Sequence, residues 1–169
     1  MKISSRLIIA ALILACIATL GFSRAAWAGP LANGTVPSCQ TTVTVNQPGT
    51  MNTCSSSVDV GGIPAGGSAS VAEVDISTYP PVPGAKFFGP AVDVTVSDAN
   101  LNEVPALIEV CFPDPTGMGL IYRWWTTSDW QTYYNSTEPA RWVLSPTYYK
   151  AGGLTCTRSW LPGVFTIIY

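Results

Sequence analysis

The residues that commonly carry catalysis are few in this chain, because it contains no histidine. Ser-His-Asp and Cys-His systems need an imidazole as general base, so neither can be built here. The sequence also lacks the G-x-S-x-G elbow, the phosphate-binding G-x-x-x-x-G-K loop and the dinucleotide fingerprint. Paired carboxylates hydrolyse glycosides, and Asp114 and Asp129 lie in segments where loops could bring them together. Only their residue type supports that pair, so we expect a protein that is not an enzyme and carries no cofactor.

Four side chains match positions 1, 3, 5 and 12 of a calcium-binding loop: Asp98, Asn100, Asn102 and Glu109. The sixth position of that loop needs a glycine for its sharp turn, and here it is Glu103. The alternative is a hairpin turn between Val96 and Ala106, in which Asp and Asn adopt left-handed backbone conformations and bond their own main chain. We therefore predict no metal site, with a surface calcium site as the alternative.

Aromatic side chains are concentrated between residues 122 and 149. Trp124 and Trp125 must point to opposite faces of a strand, so they cannot both enter one core. Exposed Trp and Tyr rings stack on sugar rings or anchor protein interfaces. Strands also favour aromatic residues, and a Trp beside a disulfide is frequent in the core of a sandwich. The candidate binding residues, three of them in a predicted loop, are Trp125, Trp130, Tyr133 and Tyr134.

The positions of the cysteines predict disulfides. Without Cys16 in the N-terminal apolar stretch, four cysteines remain, an even count that in an exported chain indicates two disulfides with three possible connectivities. We favour sequence neighbours, which pairs Cys39 with Cys54 and Cys111 with Cys156. No pair has C-x-x-C spacing and no histidine is present, so these cysteines are not expected to bind zinc.

The elements that must position these residues are short strands. Val92, Val94 and Val96 alternate with Asp93 and Thr95, the period of a half-buried strand. Between residues 71 and 76 the same pattern places Val74 and Ile76 on one face. Further strands are predicted at 41–45, 108–112, 120–125, 141–144, 154–157 and 164–168. With no helical stripe after the first 28 residues, we predict an all-β protein, a two-layer antiparallel β-sandwich.

The N-terminus has the pattern of a secretory signal peptide. Lys2 and Arg6 precede an apolar run, and Ala26-Trp27-Ala28 matches a cleavage site. We predict a signal peptide at 1–28, a flexible segment at 29–38 and a single sandwich domain at 39–169. Lipoprotein processing at Cys16 is the alternative to cleavage after Ala28. No later stretch is long enough to span a bilayer.

Charge limits the partners of the exported chain. Three of the eight basic residues and none of the ten acidic ones lie in the predicted signal peptide, which leaves five against ten and a net charge of −5. Nucleic acids and anionic membrane surfaces need a basic face, so we expect neither as a partner.

The order of core and turn segments from Val58 to Ile168 resembles the juxtamembrane β-sandwich module of ankyrins and netrin receptors and its secreted bacterial relatives. The segments are VDVGGIPAGG at 58–67, VAEVDIS at 71–77, FGPAVDVTV at 88–96 and PALIEVCFP at 105–113. The resemblance implies the same sandwich and supports pairing Cys111 with Cys156. The self-cleaving members of that family use a His-Phe-Ser sequence, which this chain lacks, so self-cleavage is not implied.

We therefore expect a non-catalytic, secreted or cell-surface module with a structural or adhesive role, bound to an unknown protein or glycan. The alternative is a carbohydrate-binding module with Trp125, Trp130, Tyr133 and Tyr134 as its platform. The sequence leaves the partner and the oligomeric state open.

Overall fold

The computed structural model describes residues 39–169, so the predicted signal peptide and the segment at 29–38 lie outside the described part. The elements of this part are mainly strands, with one α-helix and one short 3-10 helix at Ile76–Thr78. They are β1 Thr42–Val45, β2 Gly49–Asn52, β3 Ser57–Gly61, β4 Ser68–Val74, β5 Ala91–Ser97, β6 Leu107–Pro113, β7 Leu120–Trp125, α1 Thr127–Tyr134, β8 Arg141–Leu144, β9 Tyr148–Ala151, β10 Leu154–Ser159 and β11 Gly163–Ile168. Among residues 39–169, no helix has the length and apolar character of a transmembrane span.

The strands form two packed antiparallel sheets, which confirms the predicted sandwich. One sheet has six strands in the order β1-β4-β5-β11-β7-β8, and the other has five in the order β2-β3-β6-β10-β9. The chain crosses from the edge of the first sheet to the edge of the second between β8 and β9. The edge strands β8 and β9 of the two sheets are therefore consecutive in the chain.

In two strands, β5 and β6, the alternating apolar side chains enter the core as the sequence predicted. Val92, Val94 and Val96 of β5 are fully buried, and Ile108 and Val110 of β6 face them from the other sheet. The core cluster consists of aliphatic residues, Met51 and two phenylalanines, Phe112 and Phe165. None of the tryptophans in the described residues belongs to it. The aromatic residues between 122 and 149 therefore lie outside the main core.

The predicted strand at 71–76 is wrong at its C-terminal end. β4 ends at Val74, and it is Ala69 and Val71, not Val74 and Ile76, that enter the core. The side chain of Asp75 accepts a hydrogen bond from the amide of Ser77 at 2.9 Å and caps the 3-10 helix that contains Ile76. This local bond ends the strand, because a short polar side chain competes with the sheet for backbone amides.

Both predicted disulfides are present, Cys39–Cys54 and Cys111–Cys156. The second joins directly opposite residues of β6 and β10, on the face of the five-stranded sheet that points away from the core. The first ties the start of the described chain to the turn after β2. Two such links suit an oxidising compartment.

An aromatic cluster of Tyr79, Trp124 and Trp142 covers the outer face of the six-stranded sheet. Trp124 of β7 and Trp142 of β8 pair in register, with ring centroids 5.3 Å apart, and Tyr79 packs on both. The indole nitrogen of Trp142 donates to the carbonyl of Pro80 at 2.9 Å. Trp124 is thus covered by the proline-rich segment, and Trp125 points to the opposite face, as the sequence predicted.

Candidate binding groove

The residues predicted as an aromatic platform lie on a helix, not in the predicted loop. Thr126 caps α1: its hydroxyl accepts from the amide of Asp129 at 3.1 Å, and the Asp129 carboxylate accepts from the amide of Thr126 at 2.8 Å. Asn135, with φ of 48°, ends the helix in a left-handed conformation. No residue of α1 is buried, so the helix has no apolar stripe for a periodicity argument to detect.

Replacing Thr126 by alanine is expected to lower the free energy of unfolding by about 1 kcal/mol, the usual cost of losing an N-cap side chain. Urea unfolding followed by tryptophan fluorescence measures this. Thr127→Ala, at the exposed first position of the helix, is the control and should leave the midpoint within error. A Thr126→Ala midpoint equal to that of the control would mean that the capping box does not stabilise α1.

A buried arginine attaches α1 to the sandwich. Arg123 of β7 is 5% exposed and donates to the carbonyl of Pro162 through Nε at 3.1 Å and Nη2 at 2.5 Å. Its guanidinium also pairs with the Asp129 carboxylate at 3.4 Å and lies over the Trp125 ring, 4.8 Å from the ring centroid. One cation therefore connects the sheet, the helix and the turn between β10 and β11.

Three of the four predicted platform residues come together against this arginine. Trp125 lies 4.7 Å from Trp130 and 5.3 Å from Tyr134 between ring centroids, and Trp130 lies 5.6 Å from Tyr134. Such distances are those of interacting aromatic pairs. Tyr133 is 44% exposed but takes no part in these ring contacts. The platform is therefore Trp125, Trp130 and Tyr134.

The platform lines a groove of about 440 Å³ between α1, the end of β8 and the turn that follows β10. Its other side is formed by Val143, Pro146 and Trp160. Trp160 is 68% exposed, the largest exposure of any tryptophan in the described residues, and it was not among the predicted platform residues. The available signal was a tryptophan two residues before Pro162 and Gly163, a pair of turn-forming residues. It was missed because the residue lies outside the aromatic segment at 122–149.

A second open cleft, of about 650 Å³, also borders Trp160. It lies over the outer face of the five-stranded sheet and is lined by Asp59, Leu107, Glu109 and Arg158. Arg158 donates to Glu109 at 2.6 Å, and this hydrogen bond holds the pKa of Glu109 below its ordinary value. Trp160 therefore stands between two open cavities.

The structure separates the two carboxylates that were considered as a catalytic pair. Asp129 pairs with Arg123 beside the start of β11, whereas Asp114 accepts a hydrogen bond from Tyr169 just after the end of β11. At about 3.3 Å per residue, these ends are roughly 20 Å apart. The alternative in which loops bring Asp114 and Asp129 together is wrong, because Asp129 lies on α1 at one end of the sandwich and Asp114 follows β6 at the other.

Asp114 instead serves as a buried acceptor. It is 3% exposed, and its two oxygens accept from six donors: the amides of Gly117 and Gly119, the hydroxyls of Thr116, Thr155 and Tyr169, and Nζ of Lys150. Burial by itself raises the pKa of a carboxyl, but the hydrogen bonds from Thr155, Lys150, Thr116 and Tyr169 outweigh it and hold the pKa of Asp114 well below its usual range. The carboxylate therefore stays ionised and links the end of β6 to β9, to β10 and to the end of β11.

Three of the calcium candidates, Asp98, Asn100 and Asn102, form the turn that the sequence predicted between Val96 and Ala106. The Asp98 carboxylate accepts from the amides of Asn100 and Asn102 at 2.8 and 2.9 Å. The left-handed position is Leu101, with φ of 64°, and not one of the Asp or Asn residues. Glu109 lies on β6, paired with Arg158. In the part of the chain that the structure describes, no group of three or more acidic, cysteine or histidine residues could hold a metal ion.

Comparison of the chain with protein families, with curated proteins and with solved structures found no match. The resemblance to the ankyrin and netrin-receptor module stays a prediction.

Proposed function

We propose that this protein is a non-catalytic, extracytoplasmic module with an adhesive role, and that it binds its partner through the aromatic groove. The observation that carries the proposal is the grouping of Trp125, Trp130, Tyr134 and Trp160 around one open groove while the core is complete without them. Exposed apolar rings grouped at one site are unusual on a protein that binds nothing. Trp and Tyr are also the residues that most often dominate binding energy.

Rigidity of the groove supports the same proposal. Its floor, Trp125, belongs to a sheet, and its rim, Trp130 and Tyr134, belongs to a helix that is capped and joined to Arg123. A wall fixed before binding loses little conformational entropy when a ligand arrives. The two disulfides fit work outside the reducing cytoplasm.

The test compares two neighbouring tyrosines on α1. Tyr134 lines the groove and is 62% exposed, whereas Tyr133 does not line it. The fluorescently labelled, fully oxidised protein is titrated onto cells of the producing organism, and bound protein is measured by flow cytometry. Tyr134→Ala should weaken binding tenfold or more, which corresponds to about 1.4 kcal/mol. Tyr133→Ala should stay within twofold of the unmodified protein.

Equal binding by all three proteins would contradict the proposal, because adhesion would then use another surface. Equal loss in both variants would also contradict it, since the helix and not the groove would be the common cause. Unchanged urea midpoints for both variants exclude unfolding as the reason for either loss.

A further inference from the structure

We infer that the groove binds an extended, uncharged polysaccharide chain and that Trp160 makes the binding surface continue across two subsites. This inference rests on the proposed function and names the ligand class of the same site. Three observations carry it: the open cavities on either side of Trp160, the pairing of the charges around them, and the mixture of flat rings and hydroxyls in their walls.

The two cavities form one continuous surface. Both are lined by Thr147, Arg158, Ser159 and Trp160, and the side chain of Trp160 is exposed where they meet. A compact ligand fills a single enclosed pocket, in which most of its own surface is buried. Two open cavities that share a wall instead suit a linear chain of rings, with one part of the chain against Trp125 and Tyr134 and a later part over the second cleft.

The charges around the groove favour a neutral ligand. Arg123 is neutralised by Asp129 and Arg158 by Glu109, so each cation of the groove wall already has a carboxylate partner. The second cleft adds the exposed carboxylate of Asp59, which forms no ion pair in the described residues. With a net charge of −5 outside the predicted signal peptide, an anionic polymer is repelled, whereas the hydroxyls of a neutral sugar can donate to Asp59.

The chemistry of the walls fits sugar rings. The broad face of a pyranose ring carries C–H groups that pack on Trp and Tyr, and its rim carries hydroxyls that need hydrogen-bond partners. Thr147 and Ser159 line the groove next to the aromatic residues and provide such partners. Their placement at the centre of the surface differs from a protein interface, where the polar groups form a rim around an apolar centre.

The experiment measures binding against chain length by isothermal titration calorimetry. The probes are neutral β-1,4-linked dimers and hexamers of glucose and of N-acetylglucosamine. Hexagalacturonate, a negatively charged hexamer, is the control for charge. The hexamer of at least one neutral series should bind tenfold or more tightly than its dimer, and hexagalacturonate should not bind. Trp160→Ala should remove the gain with length, so that in this variant the hexamer binds no more than about twofold more tightly than the dimer.

Phe88→Ala is the matched control, because Phe88 is 49% exposed and packs on Tyr169 at the opposite end of the sandwich. It should leave both affinities unchanged. Binding that does not depend on length, or an equal loss of dimer and hexamer in Trp160→Ala, overturns the two-subsite arrangement. No binding to any neutral oligomer, while Tyr134→Ala still weakens attachment to cells, overturns the glycan class but not the proposed function. Attachment to cells that does not depend on Tyr134 overturns the proposed function itself.

Discussion

Replacing Asp114 by asparagine is expected to lower the free energy of unfolding by about 3–5 kcal/mol at neutral pH, the range found when one partner of a buried charged network is removed. Asparagine has nearly the shape of aspartate, so no cavity forms. Its amide group, however, places a donor against the amide of Gly119, the hydroxyl of Thr155 and Nζ of Lys150, all of which donate to the same oxygen of Asp114. Buried donors without an acceptor lose their hydrogen bonds to water and gain nothing in return.

The stability supplied by Asp114 should also depend on pH. Its pKa in the folded protein lies below the ordinary value of 3.8, so the folded state favours the ionised form. The contribution is complete above the ordinary carboxyl pKa and is lost as the pH falls through that value towards the lower folded one. The difference in unfolding free energy between the unmodified protein and Asp114→Asn should therefore shrink from pH 5 downwards.

Chemical denaturation at a series of pH values from 7 to 3 measures both effects. Asp98→Asn is the control, since Asp98 is a half-buried turn aspartate whose Oδ1 accepts from the amides of Asn100 and Asn102, as the side-chain oxygen of an asparagine also can. It should change the unfolding free energy by less than about 1 kcal/mol. Equal shifts for the two variants would contradict the role assigned to Asp114, as would a constant difference between pH 7 and pH 3.

The parts of the fold that follow from local alternation could be predicted from the sequence. Val92, Val94 and Val96 alternate with polar residues because one face of β5 meets the other sheet, and this pattern needs no knowledge of distant residues. The end of β4 could not be found in this way. There a single hydrogen bond from the amide of Ser77 to Asp75 overrides the alternation that continues to Ile76.

The helix α1 was missed for a different physical reason. Period-based prediction detects an apolar stripe that enters the core, and no residue of α1 is buried. The helix is instead held at its N-terminus by Thr126 and Asp129 and at its side by Arg123. A Thr followed three residues later by an Asp was the only local signal. The residue that holds the helix in place, Arg123, lies on a strand. Nothing in the sequence around it indicates that its side chain points inward.

The candidate site was predicted in part. Trp125, Trp130 and Tyr134 could be selected because they are close in sequence, and Tyr133 was selected with them because sequence alone does not separate neighbours on one helix. Trp160 joins the groove only through the pairing of β10 with β6 and of β11 with β7. Likewise, Asp114 has the residue type of a catalytic acid, and only the folded chain shows that six donors surround it.

Replacing Arg123 by alanine is expected to destabilise the protein by about 3 kcal/mol or more, because a partly buried carboxylate loses its cation. Asp129 would keep only its hydrogen bond from the amide of Thr126, and the carbonyl of Pro162 would lose both of its side-chain donors. Arg123 also covers Trp125, so its loss removes packing from the floor of the groove. Stability and binding should therefore fall together.

Arg141→Ala is a closely matched control. Arg141 also lies 4.8 Å from the centroid of a tryptophan ring, that of Trp130, and also pairs with a carboxylate, that of Glu138. Its side chain is 51% exposed, however, and that of Glu138 is 42% exposed. Exposed ion pairs contribute about 0–1 kcal/mol, so Arg141→Ala should shift the urea midpoint only slightly.

Comparison of the two arginine variants shows whether the effect on stability comes from the burial of Arg123 or only from a cation that lies on a tryptophan ring. Urea unfolding gives their stabilities, and attachment to cells at a temperature where both remain folded gives their binding. Arg123→Ala should weaken attachment in the folded state, because α1 then loses the contact that sets its distance from β7, whereas Arg141→Ala should not. If the two variants are equally stable, the ion pair of Arg123 and Asp129 does not hold the helix. The rigidity proposed for the groove wall would then come from another contact, the packing of Trp130 against Trp125.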